Sequence, residues 1–286
     1  MSSLGGRLKI ALLLAPAMLV IGVLFAGGLV SAVVQSVGYM PAIGQTEINL
    51  DAYREVLSGG EFLDSFLLTV YVAGVSTAVS TVLAVLAAMT LRRSSGRVSA
   101  VVFQLPITIP HLLAAVGIAL VVSQTGLGAR LAAALGLIGE PKEFPALLYD
   151  RYSVGIILTY VWKEVPFVAL VVLATLRGVA GELEDVARTL GASSWQRFWY
   201  VVFPVISPGV VAASLLVFAF TFGAFEVPYL LGKTYPTMLP VMAYNEYRDI
   251  ELSARPLAMA INVLISFITA IFAALYLRLA KDLGRG

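Results

Sequence analysis

The sequence lacks cysteine altogether and has one histidine and few charged residues. Without cysteine the chain can form neither disulfides nor thiolate metal sites, and a lone histidine, His111, excludes the usual clustered-histidine metal sites. Charged residues make up 13% of the chain, against about 25% in soluble domains. The net charge of +2 gives no support for nucleic-acid binding. What remains is 59% hydrophobic with a mean hydropathy of +0.92, which predicts a membrane protein.

Six segments have the roughly 20 mostly apolar residues that a membrane-spanning helix requires. Because the first apolar run is longer than the core of a signal peptide, we interpret it as a retained span. No internal repeat or low-complexity linker divides the chain, so we expect one transmembrane domain over residues 1–286 in an all-α, polytopic fold. The expected spans are about 9–34, 62–91, 98–123, 153–176, 205–231 and 256–280.

The charges in the connections predict the orientation of these spans. Eleven of the 19 lysines and arginines lie in the N-terminus, the 92–97 turn, the 177–199 loop and the C-terminal tail. Eleven acids lie on the opposite side, ten in its connections and Asp64 near the start of the second span. Cytoplasmic loops carry the excess of lysine and arginine. We therefore expect both termini and the 177–199 loop to be cytoplasmic.

The 181–204 segment is polar and has the spacing of two short helices. Between its two apolar sets, Gly191 is a natural helix stop and Ser193 or Ser194 a natural N-cap. Pro204 then leads into the next span. A loop that only joins two spans would account for this periodicity as well. Each set follows one helix face: Leu183, Val186, Ala187 and Leu190, then Trp195, Phe198, Trp199 and Val202.

The spacing within this segment resembles the EAA loop of permease subunits of binding-protein-dependent ABC importers. That pattern is Glu-Ala-Ala, three residues, Gly, nine residues, Ile-x-Leu-Pro. Ala187, Gly191 and Pro204 match it outright, and the preceding "LRGVAGELEDVARTLGAS" resembles the usual lead-in. Four positions are conservative departures, of which the shorter Asp185 affects any contact that needs the reach of glutamate: Asp185, Val186, Val201 and Phe203.

The resemblance implies a type I importer permease fold in a bacterial inner membrane, in contact with lipid. It implies three partners: a cytoplasmic ATPase dimer, a second permease subunit and an extracytoplasmic binding protein. ATP and magnesium would be bound by the ATPase, and this chain would hold no cofactor. Asp185 would meet a basic group of the ATPase, and Gly191 would permit the bend. The implied coupling residues are Asp185, Ala187, Gly191, Ala192, Ser193, Trp195, Arg197 and Pro204.

Charged residues within spans are costly and face a partner or a water-filled cavity. Lys163 and Glu164, and likewise Glu226 with the nearby Tyr229, are candidates for the translocation path. The alternative is that these charges pair between helices and fix the bundle. Pro166 and Pro228 follow the two acids by two residues and predict two kinked helices. We expect His111 to be packed or hydrogen-bonded rather than a proton carrier.

The sequence leaves the substrate open. The loop has "LGAS" where the sugar-importing branch commonly has "DGA". This similarity favours the branch that handles polyamines, ferric iron, thiamine, phosphonates or oxyanions, with a polyamine as the first hypothesis and a sugar still possible. An ion-coupled secondary transporter is the alternative class. An intramembrane enzyme has no support, since neither HExxH nor GxSxG occurs, and no catalytic or metal-binding residue is expected.

Overall fold

The computed structural model describes residues 4–92, 97–176 and 181–283, and the helices are numbered here along the chain. The helices up to residue 176 are α1 Leu4–Ser36, α2 Asp51–Ser58, α3 Gly60–Leu91, α4 Arg97–Thr108, α5 His111–Val122, α6 Leu127–Ala134 and α7 Val154–Thr175. The helices from residue 181 onwards are α8 Gly181–Thr189, α9 Ser194–Arg197, α10 Phe203–Gly223, α11 Glu226–Leu231, α12 Leu239–Tyr247 and α13 Arg255–Leu283.

Six helical segments in this part of the chain are long and apolar enough to cross a membrane, which confirms the all-α fold with six spans. They run over Leu12–Ser36, Gly60–Leu91, His111–Ala134, Val154–Thr175, Ser194–Gly223 and Leu252–Arg278. The short amphipathic helix α2 follows the first span and ends at Ser58, with Gly59 as its C-cap.

Two of the expected spans are wrong in their bounds. The segment expected as a helix over 98–123 is interrupted between Thr108 and His111, because proline disfavours a helical residue before it and has no N–H. The segment expected over 205–231 ends at Gly223, where Ala224 adopts an extended conformation. Pro228 is the third residue of the short helix α11, so it lies in a first helical turn rather than at a kink.

The described chain forms two compact units, and the expectation of a single domain stays a prediction. One unit consists of residues 1–62 and 242–265, and the other of residues 63–241 and 266–286. In the second unit α7 packs against α4, α5 and α10. Its core contains two buried clusters, one around Val168 and Ile206 and the other around Tyr160 and Leu231.

Helix α3 contributes small residues to the core of the second unit. Ala73, Ser76, Ser80, Ala84 and Ala88 are all fully buried along it. Small side chains let helix backbones approach closely, which is how helices associate in lipid. The close packing of this unit encloses α7, and α7 carries Lys163 and Glu164.

Candidate functional site

The cytoplasmic loop begins with α8, which ends in a hydrogen-bonded cap at Gly191. The N–H of Gly191 donates to the carbonyl of Arg188 at 3.1 Å, and the N–H of Ala192 donates to Ala187 at 3.0 Å. This pair of bonds is the Schellman motif, which needs a left-handed residue at its turn. Gly191 has φ +83°, and no atom lies within 4 Å of where a Cβ would be. Gly191 is therefore required by its backbone conformation and not by lack of space.

The second helix of the loop begins with a capping box at Ser193. The hydroxyl of Ser193 accepts from the N–H of Gln196 at 3.3 Å, and its own N–H donates to the Gln196 side chain at 2.8 Å. The two short helices predicted here are present as α8 and α9, but the second is continuous with the next span. After α9 the chain makes a π-helical turn over Phe198–Val202 and continues into α10, with Pro204 as the second residue of α10. A bend at 190–193 is thus joined directly to the fifth span.

Glu184 connects this loop to the end of α3, a role that the sequence did not reveal. Both of its carboxylate oxygens accept from the guanidinium of Arg92, with Arg92 Nη2 at 3.1 Å from Oε1. Arg197 Nε lies 3.5 Å from the same Oε1, and Arg197 also donates to the carbonyl of Ala192 at 2.7 Å. Hydrogen bonding from Arg92 holds the pKa of Glu184 below its usual value. Arg92 is 92 residues away, so no periodicity in the sequence pairs it with Glu184.

The outer surface of the loop is exposed and largely apolar. Leu190 and Trp195 are 82% and 71% exposed, although both belong to the apolar faces that the sequence predicts. Trp195 and Trp199 make an edge-to-face contact, with ring centroids 5.5 Å apart. Asp185 is also exposed, and it makes no ion pair with any described cation. This surface is available for a partner.

Within the membrane-spanning region, Lys163 and Glu164 are buried and point to different partners. The ammonium of Lys163 donates to the carbonyls of Pro106, Ile107 and Ile109, beside the interruption between α4 and α5. Glu164 Oε1 lies 3.2 Å from His111 Nε2. The expectation that His111 is hydrogen-bonded is met by this contact, and its ring also lies 4.7 Å from that of Phe220. The two adjacent charges make no ion pair with each other.

A cleft of 360 Å³ brings these side chains together in the second unit. Aromatic and aliphatic side chains of α7 and α10 form most of its wall, and the polar groups are Lys163, Glu164 and His111. The lining residues are Ile107, His111, Lys163, Glu164, Phe167, Leu216, Val217 and Phe220.

The other two path candidates lie elsewhere in the same unit. Glu226 is the exposed first residue of α11, and Tyr229 stacks on Phe225 with ring centroids 4.9 Å apart. Neither residue lines the cleft that contains Lys163 and Glu164. The structure therefore places two of the four candidates in one cleft, and the other two lie outside it on α11, which packs against α5 and α7.

Comparisons with known proteins bear on both regions. The sequence model of the family described as "Binding-protein-dependent transport system inner membrane component" matches residues 80–285. The chain is 27% identical over 241 residues to the trehalose/maltose transport system permease protein MalF of Thermococcus litoralis, covering 82% of this chain and 80% of that protein. It is 29% identical over 231 residues to the sulfate transport system permease protein CysW of Synechocystis, covering 78% and 79%.

A solved structure has the same fold. It is a bacterial alginate ABC transporter in complex with an alginate pentasaccharide-bound periplasmic protein. The matched chain is 16% identical, each chain is covered over 98% of its length, and the TM-score is 0.81. At this level of identity the likeness concerns the fold alone.

Proposed function

Since the chain belongs to the family of inner membrane components of binding-protein-dependent transport systems, we propose that its 181–204 loop couples it to a cytoplasmic ATPase. In this proposal the chain forms half of a translocation path, together with a second permease subunit in a bacterial inner membrane. It takes its solute from an extracytoplasmic binding protein. ATP and magnesium are bound by the ATPase pair, and this chain contributes no nucleotide site of its own.

The observation that supports this proposal is that the exposed surface of the loop is connected to two spans, α3 and α10. The loop presents Asp185, Leu190 and Trp195 to the cytoplasmic side, where a partner can press on them. The bidentate contact between Glu184 and Arg92 connects the loop to α3. The unbroken helical path from Ser194 to Gly223 connects it to α10. A displacement of the loop is thereby transmitted to two membrane helices rather than lost in a flexible connection.

The remaining coupling candidates stabilise or shape the bend of this loop and its connection to α10. Ala187 and Ala192 supply the carbonyl and the N–H of the helix cap, and Ser193 caps the second helix. Arg197 ties the bend to Glu184. Pro204 follows the π-helical turn, where its missing N–H removes a regular helical bond.

Replacing Asp185 tests the docking surface directly, because it is exposed and its removal breaks no contact within the described chain. We expect Asp185→Lys to weaken association with the ATPase by about ten-fold, through charge reversal at an interface. The measurement is co-elution of the co-expressed permease pair and ATPase on a sizing column, with Asp185→Asn as the milder control. Unchanged co-elution of Asp185→Lys would contradict the proposal. ATP-independent uptake in proteoliposomes would favour a secondary transporter instead.

The substrate proposal is a small polar solute selected by the binding protein. The polyamine hypothesis has less support than the importer role, because Glu164 is already paired with His111. Glu226 alone then offers an exposed carboxylate among the path candidates. MalF and CysW are named for trehalose/maltose and for sulfate. Thermal-shift screening of the partner binding protein should include those solutes together with spermidine and putrescine, and a shift with spermidine or putrescine alone would restore the polyamine hypothesis.

A further inference from the structure

The interruption between α4 and α5 leaves backbone carbonyls without donors in their own helix. In a continuous helix the carbonyl of Pro106 accepts from residue 110, but Pro110 has no N–H. It keeps only a bond of 3.3 Å from the N–H of Ile109. Within a bilayer each unsatisfied backbone group costs several kcal/mol. A helix break at the start of the third span therefore needs donors from another element.

Lys163 on α7 supplies these donors. An ammonium group has three N–H bonds and accepts none, and all three carbonyls around it belong to the break, those of Pro106, Ile107 and Ile109. The side chain is buried, with 5% of the residue exposed. The donor capacity of Lys163 is thus used within the protein.

Glu164 contacts the α5 side of the same break. Its partner, His111, is the first residue of α5, where the helix dipole is positive. Lys163 meets the carbonyl end of α4, where the helix dipole is negative. The order of the two adjacent charges on α7 therefore matches the order of the two helix ends that they face.

We propose that Lys163 and Glu164 are positioning residues that hold the α4–α5 break open as one wall of the 360 Å³ cleft. Lys163 replaces the missing backbone donors, and Glu164 orients His111 against Phe220. The two residues act on transport through the placement of α5. This inference goes beyond the coupling proposal, because it concerns α4, α5 and α7 and requires no ATPase.

The sharpest test reverses the order of the charges without changing composition. The double substitution Lys163→Glu with Glu164→Lys keeps both residue types, but it places each charge against the helix end whose dipole has the same sign. Its matched control is Lys163→Arg, which retains the donors. The chain has no native cysteine, so spin labels can be placed on Leu105→Cys and Leu120→Cys, at positions 49% and 67% exposed. The distance between the labels is measured by pulsed EPR on the full chain in lipid nanodiscs.

We expect the reversed variant to broaden the distance distribution and to shift its mean by about 3 Å, two residues of helical rise. Lys163→Arg should keep the parental distribution. In the assembled importer, uptake by the reversed variant should fall about ten-fold. If the reversed variant does not fold, Lys163→Gln, which keeps two donors, should give an intermediate broadening.

Two results would overturn the proposal. One is a parental distance distribution in the reversed variant or, where that variant does not fold, in Lys163→Gln. The other is loss of uptake in Lys163→Arg with an unchanged distribution, because Lys163 would then act on the solute directly. Since the distance is measured without ATPase, failure here leaves the coupling proposal standing, and failure of the Asp185 test leaves this one standing.

Discussion

Two helices of this protein, α8 and α4, end at a break in the helical chain. The carbonyls at their two ends obtain hydrogen-bond donors in different ways. The end of α8 is capped by its own chain, because the N–H groups of Gly191 and Ala192 donate to the carbonyls of Arg188 and Ala187. Between Thr108 and His111 the end of α4 depends on Lys163 of α7 for its donors. The first interruption lies in the polar loop that the sequence predicts to be cytoplasmic, and the second lies at the start of the third span.

The difference follows from the solvent at each place. In water an open carbonyl can bond to solvent, so a local backbone cap with one glycine is sufficient. In lipid there is no water to donate hydrogen bonds to the carbonyls that a break exposes, and the donors must come from protein. The local cap is readable in the sequence from Gly191 and Ser193. The donor at the end of α4 is not readable in this way, because Lys163 lies 54 residues from Ile109 in the sequence.

The largest effect in the cytoplasmic loop is expected for Gly191→Val. A non-glycine residue in the left-handed region costs about 1–2 kcal/mol, and more when it is β-branched. The bend should move, and ATP hydrolysis should continue with uptake lowered at least about ten-fold. The ratio of ATP hydrolysed to solute imported in proteoliposomes measures this.

Two controls separate the bend from a general loss of stability. Gly191→Asn should stay near the parental ratio, because asparagine tolerates this conformation. Gly136 has φ +69° and equally open surroundings, so Gly136→Val tests comparable strain outside the loop. Parental coupling in Gly191→Val, or equal uncoupling in Gly136→Val, would contradict the proposal that the bend couples the loop to transport.

A smaller effect is expected for Glu184→Gln, which tests whether the loop is tied to α3. Removing the charge weakens two arginine contacts that are 13–16% exposed, at a cost of about 1–3 kcal/mol. Because hydrogen bonding from Arg92 holds the pKa of Glu184 below its usual 4.5, this stabilisation is fully present above that value. It is lost as the pH falls through the lowered pKa.

Thermal unfolding at several pH values distinguishes the tie from a packing defect. The difference in Tm between the parental chain and Glu184→Gln should be constant near neutral pH and should shrink in strong acid. A difference that is independent of pH down to strong acid would show that the ion pairs contribute nothing. Glu182→Gln on the same helix is a comparison for the charge alone.

The smallest effect is expected for Glu226→Gln, which compares the two groups of path candidates. Glu226 is exposed and makes no ion pair with a described residue, so assembly and Tm should be preserved. If Glu226 lines the path, the KM or rate of uptake should change several-fold, measured with radiolabelled solute. Glu164→Gln, which removes a buried carboxylate that contacts His111, should lower Tm as well. Loss of folded protein in Glu226→Gln would favour a structural role.

Much of the cytoplasmic loop could be predicted from sequence because its interactions are local. The stop at Gly191, the cap at Ser193 and the two apolar faces all follow from residues within about one turn of each other. The sequence did not show that the second helix continues into the span through the π-helical turn before Pro204. Glu184 was missed because its partner, Arg92, is distant in sequence.

In the membrane region, hydropathy predicted the number of spans but not where two of them are interrupted. The length of an apolar run shows that a segment can cross the membrane. It does not show whether Pro110 ends a helix or only bends it. Pro166 lies within the continuous helix α7, whereas Pro110 separates two helices. The difference depends on whether a neighbouring helix supplies donors, as Lys163 does for the carbonyls near Pro110.

The sequence by itself determined the class of this protein, its six apolar spans and the helix-ending chemistry of its cytoplasmic loop. Those properties depend on composition and on contacts within a few residues. Tertiary structure alone decided the partners of Glu184, Lys163 and Glu164. Each of these charges is stabilised by groups from another helix, and only the packing of α7 against α4, α5 and α10 and the approach of the loop to α3 bring those groups within hydrogen-bonding distance.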